Sequence, residues 1–187
     1  MRWDGLFADL EAQAQALALA ERAAEVETRT RDEIGQLAVY DRLRAAVDTE
    51  LQLAFAGGLA VRGTLTRVGV DWLLLDSGQG REVVGVNAAL QRVRGLGRAS
   101  GVPGSAGVVE SRLGLGHVLR GLARDRSPLR LHLIGDGASS VDATIDRVGA
   151  DFVEVATHPA GEVRRRGDVR DVELVPLAAL AALSRRA

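Results

Sequence analysis

An internal repeat constrains this chain more than any other feature of its sequence. Shifted by 80 residues, Leu51–Leu75 aligns without a gap on Leu131–Val155, with nine of 25 positions identical. Leu51/Leu131, Leu53/Leu133, Gly57/Gly137, Val61/Val141 and Thr64/Thr144 are among them. The clearest block is Arg67-Val-Gly-Val-Asp-Trp72 against Arg147-Val-Gly-Ala-Asp-Phe152. Further on, Ala88-Ala-Leu90 matches Ala178-Ala-Leu180 at an offset of 90, so the second copy carries about ten extra residues in its third hairpin. Leu43-Arg44 and Leu119-Arg120 match more weakly, each just ahead of a first strand.

Alternating short runs predict five strands per copy: in the first, Leu51–Phe55, Ala60–Arg67, Asp71–Leu75, Glu82–Val86 and Ala88–Val93. The repeated block reads as a turn. Gly69 is free to take a positive φ, Asp71 can bond nearby backbone amides, and Trp72 enters the core. Two readings of Arg67 and Arg147 are open: each pairs with its own aspartate, Asp71 or Asp151, or the two arginines make a shared ligand or backbone contact.

Ahead of the first copy, Asp4 to about Val47 is rich in good helix formers. Trp3, Phe7, Leu10, Ala14, Leu17 and Ala24 form a heptad-like stripe, which fails at Thr28 and Arg31. Thr30-Arg-Asp-Glu33 also reads as a capping box, leaving open one helix or two jointed near residue 30. Between the copies, five glycines and Pro103 within Gly95–Gly107 exclude a regular element. Ser111 is placed to cap a helix running to about Asp125, whose first turn Gly114 and Gly116 weaken. The expected organisation is a helical arm over 1–48, a first small β-barrel over 49–95, a Gly-rich linker over 96–109, and a second helix plus barrel over 110–184. The expected class is therefore α+β.

A helix followed by five short bent strands, with Gly63-Thr-Leu65 leading to the second turn and Gly57-Gly58 and Asp136-Gly137 at the first hairpins, resembles the Sm-like small barrel of Sm, LSm and Hfq-type proteins. The resemblance covers roughly 48–95 and 128–184 and implies tandem SH3-like barrels. The family's RNA-contacting motifs are replaced here, by leucines around Leu75 and by Val86-Asn87-Ala88 and Val175-Pro176-Leu177. No RNA-contacting residue is carried over.

The chemistry-bearing residues predict no catalytic site. There is no cysteine, and His117, His132 and His158 stand in no metal-binding spacing, so neither a metal nor a cofactor is expected. His132 is expected to face outward on its strand. No Gly-x-Ser-x-Gly elbow or dinucleotide fingerprint is present. Met1–Leu10 lacks an apolar signal region and no apolar run is long enough to span a bilayer, so a cytoplasmic protein without a membrane partner is expected.

Net charge is −1 and aromatics make up 3%, which oppose bulk attraction to nucleic acid and stacking on bases. All 24 basic residues are arginine, as high-GC codon usage gives and as forked phosphate binding also favours. Arg164-Arg165-Arg166 in the second copy's long hairpin is the sharpest basic cluster, although Glu162, Asp168, Asp171 and Glu173 flank it. Arg120 and Arg124 are a second candidate for phosphate or nucleic-acid contact. The acidic arm, with 6 Arg and 10 Asp/Glu over Met1–Asp48, favours a non-enzymatic scaffold or adaptor that forms a homo-oligomer or docks a protein partner through its helix. The alternative is a nucleic-acid-binding regulator.

Overall fold

The structure is a computed structural model that describes residues 2–101, 113–135, 139–157 and 171–185, except for the side chains of Arg2, Asp4 and Asp171. The chain divides into two compact units, Met1–Ala38 and Val39–Ala187.

The first unit is built on one helix, α1, Arg2–Gly35. It has no joint near residue 30: Thr28 and Thr30 are helical, with their hydroxyls donating to the carbonyls of Ala24 and Val26 four residues back. Arg31–Glu27 and Arg29–Glu33 add i,i+4 ion pairs. Each such exposed pair contributes about 0.3–0.5 kcal/mol. The break comes instead at Gly35, the poorest helix former of the region after proline.

The second unit holds a short helix α2 (Val39–Arg44) and five strands, β1 (Glu50–Phe55), β2 (Ala60–Val68), β3 (Trp72–Asp76), β4 (Glu82–Val86) and β5 (Leu90–Arg94). Then come α3 (Leu115–Asp125) and five more strands, β6 (Leu129–Leu133), β7 (Ser140–Val148), β8 (Phe152–Thr157), β9 (Asp171–Pro176) and β10 (Leu180–Arg185). A 3-10 turn precedes each closing strand, at Asn87–Ala89 and Leu177–Ala179.

Two separate barrels were expected, and this is corrected. The ten strands form a single open sheet in the order β5-β1-β2-β3-β4-β10-β6-β7-β8-β9. The joint is antiparallel pairing of β4 with β10, with Leu183 opposite Val84 and Ala182 opposite Gly85. The physical reason lies in β10, whose run Leu180-Ala-Ala-Leu183 is buried throughout. A run of that kind reads as a strand covered on both faces, and β10 is also paired along both edges, by β6 and by β4. One core cluster accordingly runs through both halves, from Leu43, Leu53, Phe55 and Leu73 to Leu119, Leu131, Ile145 and Leu183.

Both halves nevertheless share one strand order and one turn. The β2–β3 and β7–β8 hairpins have identical registers at the offset of 80, each with a bulge at the same place, after Leu65 and after Ile145. Gly69 N–H donates to the carbonyl of Trp72, and Gly149 N–H to that of Phe152. A Cβ on Gly69 or Gly149 would lie within 2.4 Å of the following aromatic ring, so contact with the ring requires glycine at both positions.

The first strands depart from the ungapped alignment. Leu53 pairs with Val61, and it is Leu131, not Leu133, that pairs with Val141. The β6–β7 connection (134–139) is two residues longer than the β1–β2 connection (56–59). A two-residue shift keeps the same face inward, so the alternating pattern does not reveal it. The described part of the linker, 95–101, holds no regular element and is tied to α2, where Arg42 donates to the carbonyls of Gly97 and Ala99.

Candidate functional site

Among the described residues, the seam at β4 and β10 brings polar and apolar side chains of the two halves together. There the repeated turn of the first half holds the start of α3. Gly114 occupies the helix N-cap without a side chain to offer. The Asp71 carboxylate replaces it, accepting the Leu115 N–H at 2.7 Å. The Trp72 indole N–H donates to the Leu113 carbonyl, also at 2.7 Å. Asp71 therefore bonds a backbone amide 44 residues away rather than one in its own turn. Ser111, the expected cap, lies outside the described residues.

Beside this clamp lies a cleft of about 280 Å³. Trp72, Leu74 and Val84 of the first half and Val118, Leu122 and Leu183 of the second form apolar walls. Its charged residues are Arg67, Glu82, Asp125 and Arg185. Arg185 reaches Glu82 at 3.9 Å and Asp125 at 3.7 Å and donates to Ser127 Oγ. Arg67 is exposed and, among the described residues, makes no ion pair. The repeated arginines do not pair with the repeated aspartates. Arg147 pairs with Glu154, directly across the β7–β8 hairpin.

In the second half the block holds no α-helix among the described residues. Asp151 is exposed, its carbonyl accepting from Leu177 N–H, and Phe152 is half-buried without a polar handle. Arg120 and Arg124 stand exposed one turn apart on α3, and neither makes an ion pair among the described residues. Arg164, Arg165, Arg166, Arg170, His158 and Asp168 lie outside the described residues, as does the Asp136-Gly137 hairpin. Among the described residues no group of three metal-ligating side chains is brought together, and no helix is long and apolar enough to cross a membrane.

His132 does not point freely outward. It is half-buried and within 3.2 Å of Ser184 Oγ on β10. Burial, reinforced by the nearby Arg130 cation, lowers its pKa below the ordinary 6.5; Asp142, held by Arg130 through two hydrogen bonds, opposes this only in part. A histidine with a depressed folded-state pKa binds fewer protons folded than unfolded as pH falls through 6.5. The protein is therefore expected to lose stability on acidification below that pH. His132→Gln removes this component, so in chemical denaturation from pH 7.5 to 5.5 the variant's midpoint should fall less than the parent's. Equal falls contradict the assignment.

Comparison with known proteins finds no family model, no curated protein and no solved structure that matches this chain.

Proposed function

We propose that the chain is a non-enzymatic scaffold that works through protein–protein contacts made by α1. One observation carries this reading: along the 34 residues of α1, Trp3, Phe7, Leu10 and Leu17 all stand exposed, on the heptad-spaced line noted in the sequence. A row of large exposed apolar side chains is a surface that association covers. An alanine-rich stripe of this width suits a second helix packed closely against it, as in a coil between two copies of the chain.

Leu10→Arg and Leu17→Arg test it in the full chain. Arginine is a good helix former and both positions are exposed, so circular dichroism should be unchanged. Light scattering across a concentration series should show self-association weakened at least about tenfold by each substitution, the effect of removing a central apolar contact. A parent that stays monomeric, or variants that associate as well as the parent, would sink the reading.

A second reading, nucleic-acid binding, is supported by the unpaired Arg120 and Arg124 on α3. It requires a salt-dependent mobility shift with RNA or DNA at micromolar protein, lost in the double Arg→Gln variant. The scaffold reading requires none.

A further inference from the structure

The two outer strands of the sheet, β5 and β9, are the repeat counterparts of β10 and β4, the two strands that pair at the seam. The correspondence follows from register. β5 sits on β1 as β10 sits on β6: Val93 faces Leu53 as Leu183 faces Leu131, each pair flanking a bulge at the same place. β9 sits on β8 as β4 sits on β3, with Phe152 opposite Pro176 and Trp72 opposite Val86. The chain thus pairs these two edge types once internally and leaves one of each unpaired among the described residues.

The unpaired edges carry the marks of the missing neighbour. Leu174 on β9 is 59% exposed, whereas Val84, its counterpart at the seam, is 9% exposed. Val93 on β5 is only half-buried, whereas Leu183 is fully covered. Val39, opening α2, is 46% exposed, whereas Leu115, opening α3, is 3% exposed. Charge is complementary: β5 offers Arg92 and Arg94, and β9 offers Glu173.

We propose that β5 of one copy adds to β9 of another, repeating between chains the junction that β4 and β10 make within one. Carrying the seam register across places Val93 opposite Leu174, Arg92 opposite Val175 and Arg94 opposite Glu173. The added pair supplies main-chain hydrogen bonds along both edges and buries Leu174. Because the two surfaces differ, the contact is head-to-tail, and copies continue until a ring closes or a fibre forms. This inference does not use α1, so it stands or falls separately from the scaffold reading.

Charge reversal in the full chain tests it. Both side chains are exposed, so Arg94→Glu and Glu173→Arg should melt like the parent. The parent should form species larger than a dimer that survive Leu10→Arg. Each single reversal sets like charges opposite one another and should weaken those species at least about tenfold. The double variant Arg94→Glu/Glu173→Arg restores opposite charges and should return to within about threefold of the parent. In the parent, amide exchange at 92–94 and 173–175 should slow as concentration rises. A parent with no association left after Leu10→Arg overturns the proposal. So does a double variant no better than the singles, or tighter association on single reversal, which would mean that the charges guard the edges against pairing.

Discussion

Trp72→Ala should destabilise the second unit by about 3–5 kcal/mol, the usual cost of truncating a buried aromatic. The indole is 9% exposed, packs beneath Gly69 and lines the seam cleft. Its N–H also satisfies the Leu113 carbonyl ahead of α3. Truncation empties the space under the turn and leaves that carbonyl without its partner. Trp72→Phe separates the two contributions. It keeps most of the packing, supplies the ring present at the equivalent Phe152, and loses the hydrogen bond with part of the ring contact, at a cost of about 1–2 kcal/mol. Asp71→Ala, which strips α3 of its cap, should cost about the same. Phe152→Ala should cost less than Trp72→Ala, because Phe152 is half-exposed and holds no helix. Chemical denaturation ranks the four variants. A Phe152→Ala loss equal to that of Trp72→Ala would show that the first turn has no special role at the seam.

Leu183→Asp should be more damaging still, at about 4 kcal/mol or more. Leu183 is 1% exposed and stands between Val84 on β4 and Leu131 on β6. An aspartate there loses the apolar contact and places a carboxylate in the shared core. Against a typical net stability of about 5–15 kcal/mol, this removes a large share of the margin that keeps the sheet folded, and denaturation should begin at much lower denaturant. Leu183→Val removes one methylene and should cost about 1 kcal/mol. Separate barrels would confine the damage to the second half. In a continuous sheet the first-half tryptophan, Trp72, should change its fluorescence together with the far-ultraviolet signal of the strands.

The repeated turn was visible because its constraints are local: Gly69 and Gly149 under their rings, and a bulge two residues before each arginine's successor in the same register. The alternation of Leu51, Leu53 and Phe55 correctly marked an inward face, but the two-residue offset of β6 was hidden because it preserves that face. The joining of the halves was not legible at all. Pairing between β4 and β10 depends on which strand edges meet, and edges carry no periodicity in sequence. The one available hint was Leu180-Ala-Ala-Leu183, an unbroken apolar run where a half-exposed strand would alternate.

The candidate site was half legible for the same reason. Asp71 and Trp72 were singled out as turn and core residues from the repeat. Their partners, Leu115 and Leu113, lie more than 40 residues away and use only backbone atoms, which no side-chain motif reports. The substitution of Phe152 for Trp72 was the available signal: it removes an indole donor in the copy whose turn holds no α-helix among the described residues. Arg67 and Arg147 match in sequence and differ in use because the residue across the hairpin is Leu74 in one copy and Glu154 in the other.

The central claim is that one sheet runs through both halves, joined at β4 and β10. Nuclear Overhauser contacts between backbone protons test it directly in the native protein. The account predicts cross-strand contacts between Val83–Gly85 and Ala182–Ser184, with Val84 opposite Leu183, and slow amide exchange along both segments. Absence of those contacts, with exchange at 83–85 as fast as at an exposed edge, would contradict it.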